Sequence, residues 1–366
     1  MPFLLDGSRV LARIRSAALK PALAVLAVVL TLSLPEVALR LIGFQYESGV
    51  AFEIPDAAEQ WVAYQPHPEL LFTFDPTHPK VNRYGFPDRE VSLPKPDETF
   101  RILFLGDSCT QQGFPDQVAR RLSIDAGEEG ASFDAVTLAV AGYSSYQGRV
   151  LAREFAPLME GDLAVVYFGW NDHWLANGAP PDSQRIAVQT ELGPLQRFIR
   201  LLSERSRFFQ LLLQLRVSLA KWGDPDSSSL RVPIGEYRAN LQAIHDRLAD
   251  LGMPVVFVTA PTSHYYFGAP AELVRDRFAA DTESVPRLHR SYNQVVREVA
   301  KEEGALLLDL ERDLGKLPPR KLQRVFSEDG IHFSDAGLRQ VSRRIARFLR
   351  EQQLLGEAGG RPQDGG

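Results

Sequence analysis

Arg101-Ile102-Leu103-Phe104-Leu105-Gly106-Asp107-Ser108 decides how this chain folds. The short apolar run reads as a buried strand, and the glycine that ends it lets the chain turn and present a serine at the turn's mouth. Hydrolases hold a nucleophile in this way, at a strand end where substrate can reach it. Three more short motifs follow in order: Ala141-Gly142-Tyr143-Ser144, Gly169-Trp170-Asn171-Asp172 and Asp329-Gly330-Ile331-His332. Together they offer a nucleophile, oxyanion donors, an orienting carboxylate and a base.

Outward from that stretch, apolar runs alternate with amphipathic helical patterns. The strand candidates are 101–105, 133–138, 163–168, 254–259 and 305–308, and the helix candidates are 115–122, 146–155, 234–251, 285–303 and 334–352. Continuous apolar strands separated by helices imply a parallel sheet covered on both faces, a three-layer α/β/α sandwich. Residues 44–99 are rich in proline and aromatics without sustained periodicity, and read as a linker that straps onto the domain spanning 100–355. Residues 173–232 interrupt the alternation as a helical insertion. Its segment Phe208-Phe-Gln-Leu-Leu-Leu-Gln-Leu215 is too apolar for a solvated helix and must be covered. The Gly-rich tail 356–366 reads as disordered.

A serine hydroxyl needs a base to take its proton, and the base needs a partner that fixes its tautomer. Asp329 and His332, three apart on a loop that leads into the last helix, can supply both at the sheet's C-terminal edge. The spacing alone decides nothing, because Asp75-Pro-Thr-His78 shares it; that pair lies in the strap before the first strand. Acyl transfer also develops a negative oxygen that needs donors. Gly142 follows the second strand and Asn171 the third, so the N–H groups of Ser108 and Gly142 and the Asn171 side-chain amide are expected to converge. His173 and the segment His264-Tyr-Tyr-Phe267 are candidates for the pocket wall. Cys109, beside the serine, is expected to pack inward.

In these four blocks the chain resembles the SGNH hydrolases, also called GDSL esterases and lipases. The resemblance spans about residues 100–350. It implies a flavodoxin-like fold, Ser108 as nucleophile, Gly142 and Asn171 as oxyanion residues, and Asp329 with His332 as the remainder of the triad. Cys109 and Trp170 stand where the family more usually has leucine and glycine. The strap sequence Asn82-Arg-Tyr-Gly-Phe86 and Ala141-Gly-Tyr-Ser-Ser145 are similar to a membrane-tethered bacterial subgroup associated with envelope or exopolysaccharide acylation. The resemblance therefore implies an exported esterase acting on acyl esters, foremost acetyl, of a carbohydrate. The same residues could serve an O-acyltransferase or a lipid esterase, and a catalytically silent envelope scaffold is the non-enzymatic alternative.

Composition narrows the field further. The 366 residues carry a formal charge of -5 and 45% apolar content, with no basic stripe for nucleic acid. A single cysteine excludes an internal disulfide, and no CxxC or HExxH spacing asks for a metal, so no cofactor is expected. Arg9, Arg13, Arg15 and Lys20 precede the apolar run Pro21–Leu34, which Pro35-Glu36 interrupts before Val37-Ala38-Leu39 and Leu41-Ile42. The uninterrupted run is shorter than the roughly 20 residues of a span, yet no small-x-small cleavage site follows it. The expectation is one N-terminal transmembrane helix within 1–43, membrane contact through residues 21–42, and an exported catalytic domain; a cleaved signal peptide is the alternative.

Overall fold

The computed structural model describes Thr31 and residues 33–44, 64–127, 132–176, 180–185, 205–220 and 229–355. The chain divides into two compact units, Met1–Ser48 with Leu192–Trp222, and Gly49–Glu191 with Gly223–Gly366.

The larger unit is built on five parallel strands: β1 (Thr99–Gly106), β2 (Ser132–Ala139), β3 (Leu163–Tyr167), β4 (Val255–Val258) and β5 (Leu306–Leu308). Their order across the sheet is β2-β1-β3-β4-β5. The chain leaves β1 for one neighbour and returns to the other side of it, which opens a crevice at the carboxyl ends of β1 and β3. Ser108 and Asn171 stand just beyond those two ends.

The strands are continuously apolar because both faces are covered. Ile102 and Phe104 belong to a core shared with the helices Phe114–Ala126 and Asp335–Glu351. Leu103 and Leu105 belong to the opposite core, shared with Ser145–Val150, Ile234–Asp250 and Ser284–Glu302. All four strand side chains are fully buried, each worth about 1.5–3 kcal/mol relative to exposure. Arg101, at the same depth, is tolerated because every arm is paired: Asp134 at 2.8 Å and the carbonyls of Met159 and Ser92 at 2.8 and 2.9 Å.

The strap is more ordered than its sequence suggests. Tyr64–His67 pairs antiparallel with Leu71–Phe74. Leu70, Leu71, Phe72, Phe74, Val81, Phe86 and Val91 are buried in the same core as Leu103 and Leu105. Those residues strap onto the domain by packing into the core on one sheet face. The insertion also differs from expectation. Its limbs return into the larger unit, with Ala176 N–H donating to Ser229 O, Arg231 N–H to Trp174 O and Val232 N–H to Asp172 O at 2.7–2.9 Å. Trp174, Asp182, Arg231 and Val232 are buried.

In the smaller unit, helical residues 33–41 meet the helix Arg207–Ala220 through polar groups. The Glu36 carboxylate accepts from Phe208 N–H and Ser206 Oγ at 2.9 Å and from Arg40 Nε at 2.7 Å. Leu34, Val37, Leu41 and Ile42 are exposed, as are Leu212 and Leu215. The expected transmembrane helix is not found: among the described residues no helix is long and apolar enough to cross a membrane. Most of the apolar run Pro21–Leu34, like the tail 356–366, lies outside the described residues.

Candidate active site

The nucleophile turn is sterically tight. A Cβ on Gly106 would sit 2.0 Å from Thr110 Oγ1 and 2.9 Å from the Tyr167 carbonyl, so only glycine lets β1 end against β3 here. Asp107 caps the short helix Ser108–Gln111 by accepting from Cys109 N–H at 2.9 Å. Burial pushes its carboxyl up to about 6 against that hydrogen bond. Ser108 is thereby held at the helix start, half-buried. Cys109 points inward, and burial raises its thiol well above the usual value, which keeps it from being a thiolate.

His332 faces the serine, with Nε2 2.8 Å from Ser108 Oγ. Its Nδ1 meets Asp329 Oδ2, while Asp329 Oδ1 accepts from the N–H groups of Ile331 and His332 at 2.9 and 3.0 Å. Burial alone would raise the Asp329 pKa, but the bonds from His332 and these backbone donors hold it below the ordinary carboxylate range. An ionised Asp329 at Nδ1 fixes the proton there and leaves the Nε2 lone pair toward Ser108 Oγ. A histidine so placed can take the hydroxyl proton.

The loop that carries this pair is itself held. His264 Nε2–H donates to the Asp329 carbonyl at 2.6 Å, and Thr262 Oγ1 donates to the Gly330 carbonyl at 2.9 Å. Burial lowers the His264 pKa, so it serves as a neutral donor. Of the segment expected to wall the pocket, His264 instead turns inward, whereas Tyr266 and Phe267 remain about half exposed.

Asn171 is tied to the residue that follows Gly142. Gly142 adopts a φ of 86°, the left-handed region where a side chain is strained. The Asn171 side-chain amide donates to the Tyr143 carbonyl at 2.9 Å, and its second N–H is the one available to a substrate oxygen. Phe72 of the strap lies against Gly142. The Tyr143 hydroxyl donates to the Phe72 carbonyl at 2.9 Å.

His173 does not line this site. It is buried, and its Nε2 lies 2.9 Å from His289 Nδ1; His289 Nε2–H donates to the Ala260 carbonyl at 2.8 Å. The acceptor role of Ala260 fixes the His289 tautomer, so His173 Nε2 is the donor between the rings. Burial drives His173 down to about 3 and His289 well below its usual value, so both stay neutral. Trp170 stacks on His289 at 3.7 Å and fills core rather than pocket. In the strap, the Asp75 carboxylate caps a turn by accepting from Thr77, as its place outside the site leads one to expect.

The structure thus brings Ser108, His332 and Asp329 together by direct hydrogen bonds and places Gly142 and Asn171 on the same sheet edge. A model of the GDSL-like lipase/acylhydrolase family matches residues 104–340, more than half of the chain. The chain belongs to that family. It is accordingly a serine hydrolase that acts on ester bonds. Among curated proteins none matches. Three solved structures are similar to this GDSL-like hydrolase. The lipase/acylhydrolase from Enterococcus faecalis is 16% identical, with a TM-score of 0.44 over 69% of this chain and 96% of that one. The acetylxylan esterase Axe2 from Geobacillus stearothermophilus is 17% identical, with a TM-score of 0.41 over 72% and 97%. TesA is 15% identical, with a TM-score of 0.41 over 69% and 98%. Likenesses this distant decide neither the fold nor the substrate.

Proposed function

We propose that this hydrolase removes short acyl groups, foremost acetyl, from a carbohydrate of the cell envelope. Ser108 attacks the ester carbonyl, His332 takes its proton and returns it to the departing sugar hydroxyl, and Asp329 holds the imidazole in the required tautomer and stabilises its charged form. The tetrahedral oxyanion is received by the N–H groups of Ser108 and Gly142 and by the Asn171 amide. Water then attacks the acyl-serine by the same route and releases the acid. The observation that carries this reading is the 2.8 Å contact between Ser108 Oγ and His332 Nε2, with Asp329 on the other ring nitrogen.

The site's location rests on sequence. Four basic residues precede the apolar segment, which favours an N-terminus kept in the cytoplasm, an anchor through residues 21–42 and export of the catalytic domain. The carbohydrate assignment rests on that location and on the likeness of the strap to envelope-acylation proteins. Purified full-length protein assayed on acetylated glycans and on 4-nitrophenyl esters of rising chain length tests it. Acetyl release from glycan, with turnover falling as the acyl chain lengthens, is expected; turnover that rises with chain length would point to lipid esters instead.

A further inference from the structure

We infer that Arg231, locked by Asp182, is a positioning residue for the oxyanion side of the site, an inference that rests on the role proposed for Gly142. One guanidinium nitrogen, Arg231 Nη2, donates at 2.8 Å both to the Gly142 carbonyl and to Asp182 Oδ2. Arg231 Nε reaches Asp182 Oδ1 at 3.4 Å. The same carboxylate accepts from Ser144 Oγ at 2.8 Å, two residues past Gly142. Arg231 and Asp182 are 2% and 0% exposed, so this ion pair is wholly inside the protein.

Burying two charges is costly, and a well-packed apolar pair would often be as stable. What an apolar pair could not do is hold a backbone carbonyl. The planar guanidinium holds both Asp182 oxygens through Nε and Nη2 while the same Nη2 addresses the Gly142 oxygen, and a lysine ammonium has no second nitrogen for that grip. The loop is restrained on its other sides as well. Ala141 N–H donates to Gln111 Oε1 at 2.7 Å, on the helix that begins with Ser108. Asn171 holds the Tyr143 carbonyl, and Ser145 N–H donates to Asp172 at 2.9 Å. The Gly142 N–H therefore sits between peptides tied to the serine helix on one side and to Arg231 on the other. Its direction is set by those ties, since a glycine, free to take many φ values besides the 86° seen here, does not fix the peptide by itself.

The tie reaches beyond the active-site edge. Asp182 and Arg231 lie on the outgoing and returning limbs of the insertion, and Asp182 N–H also donates to the Arg231 carbonyl at 2.8 Å. Closure of the two limbs and the setting of Gly142 are thus one event. The pair keeps the limbs joined and aims the oxyanion donor with the same atoms.

The test uses the full chain and 4-nitrophenyl acetate. R231K keeps the charge but loses the fork; R231M/D182L removes both members of the pair at once and leaves Arg185, 3.6 Å from Asp182, on the carbonyls of Pro180 and Ala176. Each should lose ~10–100-fold in kcat with KM changed less than about twofold, as expected when a transition-state donor is misaimed. The pH profile of kcat/KM should not move, because His332 and Asp329 are untouched, and Ser108 should still be labelled by a fluorophosphonate, more slowly. Wild-type kcat in either folded variant overturns the inference, as does a loss confined to KM. If R231M/D182L does not fold, R231K alone decides on the same criteria. Activity surviving in S108A would instead remove the nucleophile assignment on which the inference stands.

Discussion

Asn171 offers the sharpest test among single residues. Its amide holds the Tyr143 carbonyl at rest and has one N–H left for the oxyanion. Asn171→Ala should lower kcat by ~10²-fold or more with KM little changed, since the bond to substrate strengthens only in the transition state; steady-state kinetics showing the loss wholly in KM would refute that role. Asp329 sets a pH expectation. A carboxylate whose folded pKa lies below its free value adds stability above the free value and loses it as pH falls through the folded one. Asp329 is such a group. It should stay ionised across the acid limb of kcat/KM, so that limb should report protonation of His332 and disappear in no Asp75 or His78 variant. Serine, base and orienting acid are all legible in the sequence, because short motifs at strand ends carry them. Arg231 and Asp182 are not, and His264 is legible only as a wall residue, not as the donor that holds the Asp329 carbonyl. A buried polar residue that acts by gripping a distant carbonyl leaves no period or spacing to read.

Among the elements, the strap carries the most consequence. Phe72 is 2% exposed, makes an edge contact with Tyr143 at 5.2 Å and lies against Gly142. Phe72→Ala should destabilise the protein by about 3–5 kcal/mol in chemical denaturation, the usual cost of emptying such a site. It should also reduce kcat beyond any effect on KM, whereas a loss of stability with unaltered kcat would show that the strap does not support the oxyanion loop. The five sheet strands and five main helices are foreseeable, because continuous apolar runs and amphipathic periods mark elements buried on two faces or one. The ribbon Tyr64–His67 with Leu71–Phe74 is not, since Pro66 and Pro68 punctuate it and its pairing is settled by packing against Leu103 and Leu105. The insertion reads as wider in sequence than it is in the fold for a similar reason. Its limbs look like loop in sequence and are held by backbone pairing and a buried ion pair.

For the whole molecule, the proposed arrangement is an anchored chain with its catalytic edge outside the cell. Alkaline phosphatase fused at the C-terminus should be active, and the protein should remain with membranes through a high-salt wash; a soluble product beginning near residue 39 would show cleavage instead. Glu36, which interrupts the apolar run, is occupied in capping the helix Arg207–Ala220. Anchor and hydrolase can fail separately, and the central claim concerns the hydrolase. It is tested most directly by treating the full chain and its S108A variant with a fluorophosphonate and mapping the adduct by mass spectrometry. One adduct, on the peptide containing Ser108 and absent from S108A, together with loss of esterase activity, is the predicted result. Equal labelling of S108A, or an active enzyme whose Ser108 stays unmodified, would contradict it.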